Sequence, residues 1–332
     1  MFDLLSRLRD PAIFQGNLGY KNYFEGWYFK QLGLNGSKLA VIPGISLSQE
    51  SHAFIQVFDG RSGKSYYFEY PVEDFKPEKN PFTIKIGDNR FSYDGVELNL
   101  EGRITGSLSY SGITPYKWKW YERGVMGWYG YVPFMETYHG LLSLDHRVEG
   151  VLSIEGDVQI FSEGRGYIEK DWGKSFPSSW IWLQSNGFKE QGTSLMFSTA
   201  VIPWQSSSFI GHLALLRFNN RTINMSTYRG GKITQLDKTK EGISIQVQTK
   251  THLMGIKAIQ GDSVSLKSPV EGLMTGRTIE SLDSKIEVLL TNTSGDVLFS
   301  GVGLDAGLEI MDDNNELVEG LQLKDNQSYS II

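Results

Sequence analysis

The chain has 332 residues, 40% of them hydrophobic and 21% charged, with a formal net charge of −6. Its Lys and Arg are scattered singly, so no basic stripe marks a nucleic-acid partner. The absence of cysteine excludes disulfides, thiol nucleophiles and thiolate metal sites.

The length suits two domains or one large β domain. Helical spacing is clear only in the first ten or so residues, through Leu4, Leu5 and Leu8. That N-terminus has no long apolar run and no small-residue cleavage site, so it does not read as a secretory signal. No stretch approaches the ~20 apolar residues of a membrane span. The expected location is the cytoplasm, with no integral membrane segment; peripheral membrane contact stays open.

Beyond residue 10 the pattern is of short alternating runs broken by Gly, Asn, Asp and Ser, which predicts an all-β sandwich or barrel. Strands are expected at 24–31, 38–45, 52–58, 65–70, 82–86, 90–93, 96–101, 104–110, 139–144 and 150–154. Polar turns at 59–64 and 86–89 join neighbours as hairpins. The second half continues with 180–188, 194–202, 212–218, 222–228, 243–249 and 252–260. One pattern recurs. An apolar strand at 53–58, the turn Asp59-Gly60-Arg61 and an aromatic-ending strand at 66–70 resemble 213–218, Asn219-Asn220-Arg221 and 224–228. Two related β domains explain this, against coincidence among hairpins, and the division is placed at 1–160 and 161–332. Seven of the eight tryptophans lie between 118 and 204, where the halves meet. Ligand pockets favour such junctions; an interdomain core is the competing explanation.

The chemistry-bearing motifs are few. There is no Gly-x-Ser-x-Gly elbow, His-Glu-x-x-His or P-loop, and Gly301–Gly307 lacks dinucleotide spacing and reads as strand and turn. Three clusters remain. The first is Phe24-Glu25-Gly26-Trp27-Tyr28-Phe29-Lys30, where Glu25 sits inside a barrel or caps its rim and Lys30 pairs with an acid or ends a surface strand. The second runs from Gly127 through Trp128 and Glu136 to Tyr138, His139 and Gly140. The third is Tyr167–Gln184. As a strand, Tyr167, Glu169 and Asp171 share one face, and Ile168, Lys170 and Trp172 the other. Same-face neighbours are ~6–7 Å apart, so the carboxylates repel, and the repulsion favours keeping one protonated. Trp180, Trp182 and Gln184 share a face likewise. The bland alternatives are an aromatic core edge with solvated acids, a turn-capping Asp171 partnered by Lys174, and a structural His139.

Taken together, and in this order, the three clusters resemble the tocopherol cyclase family, related to the carotenoid 1,2-hydratase and lipocalin-like group. The resemblance implies two lipocalin-like antiparallel β-barrel domains with few short helices. It implies a cofactor-independent cyclisation of a prenylated hydroquinone or similar isoprenoid, without metal. An alkene is protonated to a tertiary cation that the phenol oxygen attacks. Such a step needs a carboxylic acid kept neutral in an apolar pocket and aromatic faces for the cation. The expected catalytic residues are Asp171 as proton donor with Glu169 favouring its protonated form, and Tyr167, Glu136 and His139 orienting the hydroxyl or relaying its proton. Trp27, Trp128, Tyr138, Trp172, Trp180, Trp182 and Gln184 are the expected ligand-binding residues. The partner is a hydrophobic small molecule. The competing functions are a non-catalytic lipocalin-like carrier, a terpenoid hydratase and, more distantly, a glycosidase, because paired carboxylates and aromatic platforms also suit sugars.

Overall fold

A computed structural model describes residues 10–321 apart from 34 and 120. The helical spacing through Leu4, Leu5 and Leu8 lies outside the described residues.

The alternating runs form strands throughout. β1 (Tyr23–Leu32), β2 (Lys38–Leu47), β3 (His52–Asp59) and β4 (Lys64–Tyr70) make an antiparallel meander. β5 (Phe75–Lys79), β6 (Phe82–Ile86), β7 (Asn89–Ser92), β8 (Gly95–Leu100) and β9 (Ile104–Ser111) follow as successive hairpins. The long β10 (Thr137–Ile154) pairs with β9 and leads through β11 (Asp157–Ile160) to β12 (Gly164–Gly173). β12 inserts between β1 and β10, so the first sheet runs β4-β3-β2-β1-β12-β10-β9-β8-β7-β6-β5.

The second sheet is built the same way. Its strands are β13 (Trp180–Ser185), β14 (Gly187–Phe188), β15 (Ser194–Trp204), β16 (Ser207–Phe218) and β17 (Arg221–Asn224). They are followed by β18 (Lys232–Lys238), β19 (Gly242–Gln248), β20 (His252–Ile259), β21 (Ser263–Val270), β22 (Leu273–Asn292) and β23 (Val297–Met311). A short helix, α1 (Glu316–Gly320), ends the described chain. The order is β17-β16-β15-β13-β23-β22-β20-β19-β18. In each sheet the entry strand pairs with the last strand, β1 with β12 and β13 with β23. The hairpins with the recurring pattern, β3–β4 and β16–β17, hold the same place in the two orders. The second hairpin is shorter than expected: β17 ends at Asn224, and a single turn follows at Thr227–Arg229.

The expected all-β class with two antiparallel sheets is what the chain adopts. The passage between sheets falls at 174–179. A division at 160/161 would detach β12 from both strands it pairs with. Gly301–Gly307 is not a strand and turn but part of the continuous β23, bulged against β22. Gly307 is needed there, because a Cβ would meet the Trp182 ring at 2.6 Å.

Each sheet buries its own apolar face, the first around Trp27, Phe29, Ile55 and Phe91, the second around Leu183, Phe197, Leu216 and Leu308. A third cluster, with Tyr28, Tyr167, Trp182, Met196 and Leu282, joins the two sheets. β12 is therefore buried on both faces. Ile168 and Trp172 enter the first core, whereas Tyr167 points to the joint.

Candidate functional site

Between the two sheets lies a cavity of about 220 Å³. Its first wall is the joint-facing side of β1, β12 and β10. The register sets Gly26 opposite Asp171 and Asp171 opposite His139, with Tyr28 opposite Glu169 one step deeper. Its second wall is a cross-strand row: Ser198 on β15, Trp182 on β13, Glu309 on β23 and Glu280 on β22 are consecutive register partners. Directly opposite residues of antiparallel strands share a face. All of these residues line the cavity, as do Trp180 and Glu136.

On the first wall, His139 Nδ1 lies 2.8 Å from Asp171 Oδ1, and Nε2 stands 3.4 Å from Glu169 Oε2, close but unaligned for a hydrogen bond. Burial alone would discharge the imidazole. The charges of Asp171 and Glu169 outweigh it and push His139 up to about 10, so the ring is a cation at neutral pH. Glu169 also accepts hydrogen bonds from the Tyr167 hydroxyl and, at 3.3 Å, from Trp182 Nε1. Burial and the Glu169 charge hold the Tyr167 phenol well above its ordinary range.

On the second wall, Trp180 Nε1 donates to Glu309 Oε2 at 2.6 Å, and the Tyr28 hydroxyl donates across the joint to Glu280 Oε1 at 2.5 Å. Burial raises Glu309 well above the carboxylate range, and the nearby Glu280, Glu169 and Asp171 add to it. Burial raises Glu280 also, against the Tyr28 hydrogen bond and the Lys30 charge. Beneath them Lys30 is buried and donates to Gln184 Oε1 at 3.0 Å; burial lowers its amine to about 7.

The structure thus brings Asp171, Glu169, His139, Glu136, Trp180 and Trp182 to the cavity, with Tyr167 directly behind Glu169. Five expected ligand-binding residues lie elsewhere. Trp27 is fully buried in the first core, where its Nε1 donates to Ala12 O at 2.7 Å. Trp172 shares that side of β12 and stacks on Tyr138. Gln184 keeps the face of Trp182 but lies one step past the cavity, closed over by Lys30. Trp128 is half exposed and stacks on Tyr129, which does line the cavity. Glu25 is inside, as one reading allowed, ion-paired to Lys170. Asp171 takes His139 as partner rather than Lys174. Glu280, Glu309 and Tyr28 were not foreseen. Tyr28 lies within the first cluster but was given no role there, Glu280 and Glu309 are two of several polar residues on β22 and β23, and only the β22–β23 register and the meeting of the sheets assemble them.

His139, Glu169 and Asp171 present one donor atom each within 4.8 Å of one another, the one such group among the described residues. Each ring nitrogen of His139 faces a carboxylate oxygen, which fits a doubly protonated imidazolium better than a metal ligand needing a free lone pair.

A family model described as tocopherol cyclase-like matches residues 107–310. The chain belongs to that family. Two plant proteins are similar over a 98-residue segment. The tocopherol cyclase of Zea mays is 30% identical there, and the probable tocopherol cyclase of Oryza sativa subsp. japonica 29%. In both cases the segment is 29% of this chain and 21% of the plant protein. Among solved structures, CghA with Sch210972 superposes with a TM-score of 0.54 at 12% identity, covering 87% of this chain and 88% of that one. That likeness concerns the fold. No helix among the described residues of this tocopherol cyclase-like chain is long and apolar enough to cross a membrane.

Proposed function

We propose that the chain closes a ring on a prenylated hydroquinone or similar isoprenoid phenol by acid-driven addition of the hydroxyl across an alkene. A cavity carboxyl gives its proton to the less substituted alkene carbon. The phenol oxygen bonds to the tertiary cation so formed, and its proton passes to a cavity carboxylate. No atom is gained or lost. The oxygen-rich first wall at Asp171 and Glu169, with the faces of Trp180 and Trp182, suits a carbocation.

The observation that carries this reading is the convergence of carboxyl groups from both sheets, Glu169 and Asp171 with Glu280 and Glu309, on one aromatic-walled cavity. A carrier of apolar ligands needs the walls but not the acids. The test incubates the protein with a prenylated hydroquinone and seeks a product of unchanged mass lacking the alkene. General acid–base groups contribute roughly 10²–10⁴-fold. Asp171→Asn and Glu169→Gln are expected to lose turnover on that scale while still binding. Unaltered product formation by both variants would refute the assignment of these acids. Binding without product in the wild type would favour the carrier, and a product heavier by one water the hydratase.

A further inference from the structure

The second wall holds a polar group that no described residue satisfies. Thr278 lies two residues before Glu280 on β22, on the same face, and lines the cavity. It is 2% exposed, yet its hydroxyl has no hydrogen-bond partner among the described residues. Leaving a buried hydroxyl unpaired is unfavourable, so one on a cavity-lining residue suits a ligand that completes it. Same-face neighbours on a strand are ~6–7 Å apart, which places this hydroxyl about one phenol ring's width from Glu280. Glu280 and Glu309 are direct register partners, each fixed by one donor, Tyr28 and Trp180. Like charges directly opposite destabilise a sheet, so the pair is at ease only while it holds a proton.

We infer that Thr278, Glu280 and Glu309 form a hydroxyl-binding, proton-donating subsite on the second sheet: Thr278 holds the oxygen of a phenol or alcohol bearing an apolar chain, and Glu309 is the acid. This rests on the reaction proposed above and moves the donor from Asp171, engaged by His139, to the opposite wall. The step balances. Glu309 gives its proton to the alkene carbon, the held phenol gives its proton to the Glu280–Glu309 pair as its oxygen bonds to the cation, and the pair ends as it began. Burial and the neighbouring carboxylates favour the uncharged form of Glu309 in the resting protein.

Two measurements test this. In the first, a prenylated hydroquinone and its dimethyl ether are titrated against the wild type and Thr278→Val by tryptophan quenching. The variant is nearly isosteric. Kd for the hydroquinone is expected to rise about tenfold, the ~1.4 kcal/mol of one hydrogen bond, with the ether unaffected and the urea midpoint no lower than wild type. A purely structural hydroxyl would instead lower the midpoint and leave Kd alone. Equal weakening of both probes, or no saturable hydroquinone binding by the wild type, would overturn the inference. In the second, infrared spectra at neutral pH are expected to show a carboxylic-acid carbonyl band that Glu309→Gln removes and Asp171→Asn keeps. A wild type without that difference band overturns the acid assignment. If both results hold but no cyclised product forms, the subsite stands and the proposed reaction fails.

Discussion

Lys170→Met is expected to destabilise the protein strongly. Lys170 is fully buried on the face of β12 opposite Glu169 and Asp171. Its ammonium pairs with Glu25 at 2.5 Å and donates to Pro11 O at 2.8 Å and Ile13 O at 2.7 Å. It also sits 4.7 Å and 4.8 Å from the Trp27 and Trp172 ring centres. Glu25 in turn accepts from the backbone of Gln15 and Gly16 and from the Tyr23 hydroxyl. One amine therefore ties the segment before β1 to β12. Breaking a buried pair from one side costs ~3–5 kcal/mol, because the other charge stays buried. Against a total stability of ~5–15 kcal/mol, that is a large share. Urea unfolding at pH 7 should show the midpoint falling with little change in slope. Adding Glu25→Gln should restore part of the loss, since the orphaned charge is removed, giving a coupling of ~1–3 kcal/mol in the double-mutant cycle. A loss below about 1 kcal/mol, or strict additivity, would show that the segment is held by its apolar contacts instead.

Three further outcomes are expected. The His139 pair strengthens the fold most at low pH: a folded value of about 10 against the ordinary 6.5 means its stabilisation is whole below pH 6.5 and is lost as pH rises towards 10. The stability gap between wild type and His139→Gln, on the order of 3–5 kcal/mol, should therefore narrow across pH 6.5–10 in urea titrations; a constant gap would contradict the imidazolium. Gly307→Ala drives a methyl into the Trp182 ring, so it should cost ~1–3 kcal/mol and shift tryptophan emission as the indole leaves its seat beside Glu169. Tyr167→Phe withdraws the phenol that donates to buried Glu169; thermal melts should show a loss of ~1–3 kcal/mol, and turnover should fall with it.

Hairpins such as β3–β4, β6–β7 and β19–β20 were legible because they are local: alternation and turn residues specify them within a dozen positions. The shared face of Tyr167, Glu169 and Asp171 was legible for the same reason, since strand parity needs no partner. The same parity already set Trp172 beside Lys170, on the side that turns out to be core. What proximity in sequence could not show was the second wall. Glu280 and Glu309 stand 29 positions apart on long strands joined by a bulged register, and nothing local in either strand marks those two positions. Trp27 and Trp128 were misplaced because an aromatic residue serves a core, a surface or a pocket equally well, and only the packing of neighbours decides which.

Each sheet buries its own apolar core, so what orients one against the other is the joint between them. The polar contacts there cross from sheet to sheet: Tyr28 to Glu280, Lys30 to Gln184, Lys38 to Asp283 and Asp305, and the Gln56 side chain to the Lys267 backbone. Two of these contacts, through Glu280 and Gln56, involve residues that also line the cavity. The groups proposed to handle the proton are thus close to those that set the distance between the walls. Truncating one of the carboxylates would change chemistry and alignment together, which is why the informative substitutions are isosteric ones, Asn, Gln and Val, that keep the shape of the joint while removing the charge or the hydroxyl.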